Sequence, residues 1–278
     1  ILDTLDVIFI LSPASTELYE MLKELQAINS VAINEGVPAK KLHIVVDYDD
    51  NIFDVSPLND RYLFSGRKEV EVDGKEIWKH GKKYNTTVNG VTQEVEFNVA
   101  HNRERIKAAI KTMRMADMIT VTTNRLKRKL SRFNKNIKVV PNGIDFDLWD
   151  ISKKPPKQSE EIRIGWTLSN SHFADWTYIR EALGCVLKNN KNVKFVPIGH
   201  KYGVGRDIPL SKMEYIPWAP SIEEYIVTLL TADLDIMVCP LAPDTFNKYK
   251  SPLKWEEAAS LGIPALVADT MYGDHLDN

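Results

Sequence analysis

Residues 162–197 read IRIGWTLSNSHFADWTYIREALGCVLKNNKNVKFVP, and this stretch decides the fold class. Ile162–Trp166 is a short apolar run closed by small and hydroxyl-bearing residues, Trp176–Leu187 carries apolar side chains at helical spacing, and Val193–Pro197 is a second apolar run. Strand, loop, helix and strand in that order make a β/α/β unit, whose strands lie parallel in one sheet. Working outward, the same rhythm continues with a short strand around Met213–Ile216, a helix over Ile222–Thr231, a strand at Ile236–Cys239, a helix over Ser251–Leu261 and a strand at Ala265–Ala268. Upstream it appears again. A strand at Leu5–Leu11 precedes a helix carrying Leu18, Met21, Leu22 and Leu25, and a strand at His43–Val46 follows. After a gap come a helix over Arg103–Ala116, a strand at Met118–Val121, a basic helix over Arg125–Phe133 and a strand at Lys138–Val140.

Two interruptions divide this text. From Phe64 to Phe97 apolar and polar residues alternate around Asp73-Gly74 and Asn89-Gly90, the signature of two β-hairpins inserted between helical units. Over Ser152–Glu161, Pro155-Pro156 stands among Lys, Gln, Ser and Glu, a linker composition. The chain has 278 residues, and at roughly 150 residues per domain that allows two domains, each able to bury a core. The expected organisation is α/β: a first Rossmann-like domain over 1–150 with its β insertion at about 64–97, a linker over 151–161, and a second Rossmann-like domain over 162–278, the two facing across a cleft. The opening at Ile1 and the close after Ala268 read as an internal fragment of a longer chain.

Composition removes several classes of function. With 36 Lys and Arg against 38 Asp and Glu the formal charge is −2, so no global basic field is available for a polyphosphate partner. The apolar fraction of 44% with 27% charged residues is that of a globular protein rather than a disordered or coiled-coil chain. Cys185 and Cys239 stand alone, with neither a Cys-x-x-Cys pair nor a Cys/His cluster, which fits a reducing, cytoplasmic compartment and no structural zinc. Val7–Leu11 falls far below the ~20 apolar residues of a membrane span.

Three constellations carry chemistry. Asp47, Asp49 and Asp50 stand at the carboxyl end of a strand, where open α/β sheets bind ligands. A hydrophobic strand followed by Asp-x-Asp matches the opening of haloacid-dehalogenase-like phosphatases, with Asp47 as nucleophile and Asp49 as acid/base, although Asn51 departs from that pattern and no later acidic pair completes a magnesium site. The same residues also read as a metal site for a nucleotide diphosphate, or as carboxylates capping a loop or a helix starting near Asn51. The second constellation is Asn247–Glu257. Ser251 as N-cap and Pro252 at the first helical position predict a helix start whose N–H groups attract phosphate, with Lys250 and Lys254 adding positive charge and Glu257 offering a carboxylate to ribose hydroxyls. The plain alternative is an amphipathic helix with an i,i+3 ion pair. The third is Arg163–His172, where Gly165 permits close backbone approach and Thr167, Ser169 and Ser171 offer hydroxyls; His172 by itself reads as a cap or surface residue ahead of a catalytic base.

Several of these stretches together resemble one family. Ala116–Thr123 followed by Lys138–Asp145, with its Pro-Asn-Gly-Ile-Asp run, is similar to the end of the first domain of the retaining GT-B glycosyltransferases of the family 4-like group. Arg163–Gly165 resembles the opening strand of that group's donor domain, and Asp235–Leu241 with Phe246–Ala268 resembles the donor-site pattern of a bacterial and phage-like subset, KSPLKWEEAASLGIP being its most specific part. The resemblance covers most of residues 40–60 and 100–270 and leaves out the hairpins. It implies a glycosyltransferase that moves a hexosyl or related sugar from a nucleotide-diphosphate sugar to an acceptor, with retention, no resident cofactor and no metal. It places Lys250, Ser251 and Lys254 on the donor diphosphate and Glu257 on its ribose. Gly165, Thr167, Ser169, His172 and Tyr249 join the donor-side set, Tyr249 standing where many members carry a sugar-binding Glu. Asp49 or Asp50 takes the place of a His that contacts the donor sugar, and Asn142 and Gly143 mark the hinge and cleft. Fixed lysines and a helix N-terminus would stabilise the departing diphosphate, and closure about Pro155-Pro156 would exclude water. A glycan or lipid-linked glycan is the acceptor class the resemblance favours, ahead of DNA. A nucleotide- or sugar-binding module without turnover and the phosphatase are the competing readings.

Overall fold

The structure, a computed structural model, describes residues 6–36, 41–88, 91–202 and 207–269. The chain divides into two compact units, one running up to Pro141 and including Tyr249–Ser251, the other formed by Asn142–Lys248 and the chain from Pro252 onward.

In the first unit, β1 (Val7–Leu11), α1 (Thr16–Asn34) and β2 (His43–Tyr48) form a parallel pair with its crossover helix. The side chain of Ser15 caps α1 by accepting from the Leu18 N–H at 3.2 Å. After α2 (Tyr62–Ser65) come two antiparallel hairpins, β3 (Val70–Val72) with β4 (Lys75–Trp78), and β5 (Lys83–Val88) with β6 (Val91–Glu96). Both are as the alternation predicts. Asp73 and Gly74 at the first turn have φ of 51° and 71°, the left-handed pair that a two-residue hairpin turn requires. Asn89-Gly90, the second expected turn, lies outside the described residues. The hairpins have a core of their own, in which Tyr62, Leu63, Trp78 and Phe97 are buried. Asn102 of α3 (Val99–Met115) ties α2 down by donating to the carbonyls of Leu63 and Gly66, at 3.0 Å each. The sheet is completed by β7 (Met118–Val121) and, after α4 (Asn124–Leu130), by β8 (Ile137–Val139), in the parallel order β1-β2-β7-β8. The basic helix is shorter than its charge run suggests. Ser131 ends it, and Arg132 lies over the rings of Phe53 and Phe133.

The second unit carries β9 (Ile162–Leu168), α5 (Phe173–Asn189), β10 (Val193–Gly199), β11 (Ile216–Pro217), α6 (Ile222–Thr231), β12 (Ile236–Cys239), α7 (Leu253–Ser260) and β13 (Ala265–Val267). Its five strands are all parallel, in the order β11-β10-β9-β12-β13. The chain steps outward from β9 to β11 and then returns to the other side of β9, so the order reverses between β9 and β12. Such a reversal leaves a crevice at the carboxyl ends of the strands, where doubly wound sheets bind ligands. One face is packed by α6 and α7 around Leu229, Met237, Ala258 and Leu261, and the other by α5 around Trp166, Trp176, Leu187 and Phe195. The α/β class with two parallel, Rossmann-like sheets is thus what the chain adopts.

Residues 142–161, divided between a first domain and a linker by composition, pack with the second unit. Trp149 is 5% exposed and meets the ring of Tyr225 edge-on at 6.1 Å. Beyond Pro155-Pro156, the Asp233 carboxylate accepts from the Gln158 and Ser159 N–H groups at 3.1 and 2.8 Å, and Lys157 pairs with Asp235. Buried Arg163 holds the start of β9 through a two-pronged bond to Glu214 at 2.7 and 2.8 Å.

Candidate functional site

The carboxyl end of β9 opens into a cavity of about 440 Å³ within the second unit. Thr167 and Ser169 line it from β9 and the loop that follows, His172 from the N-terminus of α5, and Lys254 and Glu257 from α7. Opposite them stand Trp218 and Pro220, in the loop after β11, and Tyr225 of α6. Gly199 makes this wall possible. Its φ of +98° suits glycine, and a Cβ there would lie 2.4 Å from the Leu168 carbonyl oxygen and 2.9 Å from the Trp218 ring. Trp218 remains 68% exposed beside the cavity, a large apolar surface held near polar groups.

Lys254 and Glu257 are three residues apart on α7, and their side chains find different partners. The Lys254 ammonium donates to the Thr167 carbonyl and lies 3.0 Å from His172 Nε2. Glu257, 7% exposed, accepts from the Tyr225 hydroxyl at 2.7 Å. Burial pushes the Glu257 carboxyl above its ordinary range, against the opposing effects of the Tyr225 hydrogen bond and the Lys254 charge. The Tyr225 phenol is held well up, by burial first and by the Glu257 charge second. A fixed cation, a carboxylate and hydroxyls in one largely apolar cavity suit a ligand that has an anionic group, a polyol and a flat or apolar part.

His172 takes the N-cap position of α5, one of the two places the sequence suggests, but it is buried instead of lying at the surface. It is 7% exposed, its side chain caps nothing, and its Nδ1 lies 2.8 Å from Asp175 Oδ2. Asp175, 2% exposed, was not singled out by its sequence context; a His and an Asp three apart at a helix start were the available signal. Trp218 and Tyr225 were missed as well. Trp218 stands in Pro-Trp-Ala-Pro, outside any helical or strand period, and Tyr225 reads as one apolar position of an amphipathic helix.

The remaining expected residues fall elsewhere. Gly165 is buried beneath Leu234, whose Cδ1 would be 2.3 Å from an added Cβ, so the backbone approach it allows is that of a core leucine. Ser251 is not the cap of α7. The Pro252 carbonyl accepts the first helical bonds, from Trp255 and Glu256 at 2.9 and 3.1 Å, and a 3₁₀ turn at Asn247–Tyr249 precedes it. Tyr249, Lys250 and Ser251 group with the first unit, where the Tyr249 carbonyl accepts from the Thr123 hydroxyl at 3.2 Å and its ring lies under Lys129. Asn142 begins the second unit, and Gly143 stands in open space.

Asp49 and Asp50 follow β2 as expected. Asp50 pairs with Arg61 at 2.7 Å, the Asp49 carbonyl accepts from the Thr122 hydroxyl, and Asp47 accepts from Thr120 on the neighbouring strand. Asn51 is 1% exposed and braces the following turn through the Phe53 N–H and the Asp54 carboxylate. These contacts are those of a loop held by its own carboxylates. Among the described residues no group of three or more His, Cys, Asp or Glu side chains is placed to hold a metal ion. No helix among them is long and apolar enough to cross a membrane.

No family model and no curated protein matches the chain. Solved structures do. The chain is similar to TarM at 14% identity and a TM-score of 0.46, covering 90% of this chain and 43% of that one. It is similar to a protein assigned as a UDP-N-acetylglucosamine 2-epimerase from Listeria monocytogenes, at 12% identity and 0.42, covering 98% and 60%. A UGT transferase from Siraitia grosvenorii, solved in complex with UDP, matches at 13% and 0.31, covering 92% and 67%. The chain therefore spans less than two thirds of the first two.

Proposed function

We propose that the chain belongs to a GT-B glycosyltransferase and that the cavity of its second unit holds the nucleotide-diphosphate sugar. The observation carrying this reading is the convergence of Thr167, Ser169, His172, Lys254 and Glu257 on one cavity at the carboxyl end of β9. The resemblance of KSPLKWEEAASLGIP to a donor-site motif assigns two of these, Lys254 and Glu257, to diphosphate and ribose, and they stand on one side of α7 in that cavity. In this reading Lys254 stabilises the negative charge that develops on the departing diphosphate, a role in which one well-placed donor is worth about 3 kcal/mol of barrier. No metal is needed for that step. Transfer proceeds with retention to a glycan or lipid-linked glycan, Asp49 and Asp50 belong to the sugar and acceptor side, and the enzyme works in the cytoplasm.

The test is a thermal-shift panel of UDP, GDP, ADP, CMP and their sugar conjugates, with and without magnesium, on the chain and on Lys254→Ala. One diphosphate nucleotide is expected to raise the melting temperature without metal, by the equivalent of about 2.7 kcal/mol at a hundredfold excess over Kd, and the rise is expected to vanish in Lys254→Ala. No shift with any nucleotide overturns the reading. An equal shift in parent and variant removes Lys254 from the site.

A further inference from the structure

We propose that Asp175 and His172 are positioning residues, which lock one imidazole tautomer and so aim the Lys254 ammonium at the anionic group of the bound ligand. The proposal rests on the nucleotide-diphosphate reading of the cavity; it adds Asp175 to that site and gives His172, which lines the cavity, the task of orienting Lys254.

The tautomer follows from donors and acceptors. Asp175 Oδ1 accepts from the Ala242 N–H at 2.7 Å and from Asn247 Nδ2 at 3.0 Å, which leaves Oδ2 facing His172 Nδ1 at 2.8 Å. The amide orientation of Asn247 is set independently, since the same Nδ2 also donates to the Ala242 carbonyl at 3.0 Å. A carboxylate oxygen only accepts, so Nδ1 carries the proton. At the other edge of the ring a lysine ammonium only donates, so Nε2 presents a lone pair to Lys254 Nζ across 3.0 Å. Both ends demand the same tautomer. His172 and Asp175 are 7% and 2% exposed, which leaves water little access to replace either partner. The chain of bonds joins the loop after β12, the start of α5 and the first turn of α7, and its last member is the cation that lines the cavity.

Asp175→Asn tests this lock with nearly the same shape. Ala242 and Asn247 both donate, so the new amide must keep its oxygen toward them and turn its NH₂ to His172 Nδ1. The imidazole proton then moves to Nε2 and confronts the ammonium of Lys254 with a second donor. A comparable tautomer reversal costs serine proteases orders of magnitude in rate. Binding of whichever nucleotide diphosphate stabilises the parent is expected to weaken by about ten- to a hundredfold, the worth of one charged hydrogen bond. In a His172→Gln background, which keeps a carbonyl acceptor for Lys254 and has no tautomer to reverse, adding Asp175→Asn is expected to change affinity less than about threefold. A merely structural Asp175 would weaken binding alike in both backgrounds, and that result overturns the proposal. So does unchanged affinity in the single variant. Imidazole ¹⁵N spectra of the ligand-free chain provide a readout that needs no nucleotide: the proton is expected on Nδ1 in the parent and on Nε2 in Asp175→Asn. A parent protonated on Nε2 overturns the lock, whereas a parent that binds no nucleotide but shows the expected spectra overturns only the functional reading.

Discussion

Lys254 and Glu257 share a cavity because three residues advance a helix by about 300°, which keeps both side chains on one side of α7. That much is legible in the spacing. What the spacing does not give is environment, and environment sets how Glu257 behaves. Burial raises its folded-state pKa above the unfolded value, so the unfolded chain releases this proton at lower pH than the folded one. Glu257 therefore adds stability at low pH and withdraws it as pH rises through its folded pKa. Glu257→Gln, which cannot ionise, is expected to gain stability relative to the parent as pH rises above about 4, the ordinary glutamate value. Melting temperatures of both proteins across that range measure the difference, and a gap that closes or stays flat contradicts the assignment. Two glycines make the complementary point. Gly165 and Gly199 look alike in the sequence, yet one makes room for a core leucine and the other for Trp218 beside the cavity.

Among the elements, α7 and the hairpins show where local signals hold and where they slip. Ser251-Pro252 predicts a helix start to within a residue; the cap is Pro252, and a 3₁₀ turn precedes it. No cap motif reveals that turn, whose Asn247 donates to Asp175, a partner 72 residues away, and to Ala242. The pairing of the hairpins was legible, since Asp73-Gly74 between alternating residues marks the first turn, though not the register shift between Val70 and Glu71. Their common core was not. Trp78, 8% exposed, packs against Tyr62, Tyr84 and Phe97 and donates its indole N–H to the Pro57 carbonyl at 2.7 Å. Trp78→Ala is expected to cost the first unit about 3–5 kcal/mol of stability and to speed hydrogen exchange across residues 70–88 and 91–97. Nucleotide affinity in the second unit is expected to stay as in the parent. Slow exchange retained at those residues in the variant would show that the insert does not depend on this core.

For the molecule as a whole, two parallel sheets with separate cores mean that ligand binding and loop chemistry belong to definite units. Residues 142–161 show what composition leaves out at this scale: Pro155-Pro156 among polar residues reads as a linker, and Asp233 and Asp235, just before β12, bond the residues that follow it. Hydrogen exchange on the full chain with and without the stabilising nucleotide tests the placement of the site. The largest gain in protection is expected in peptides covering 165–172, 218–225 and 253–257. A gain centred on 43–50 instead would move the ligand to the first unit and give Asp49 and Asp50 the leading role.

Periodicity alone determined the parallel α/β class, the place of each β/α unit and the hairpin insert, because those depend on which face of a local element is apolar and on turn residues a few positions apart. The tertiary structure decided the strand order β11-β10-β9-β12-β13, the packing of 142–161 with the second unit, and the meeting of Asp175, His172 and Lys254. His172 and Lys254 are 82 residues apart, and a hydrogen bond over that separation exists only once the sheet has set which loops lie side by side. Residue types limit what a side chain can donate or accept; the fold alone selects its partner.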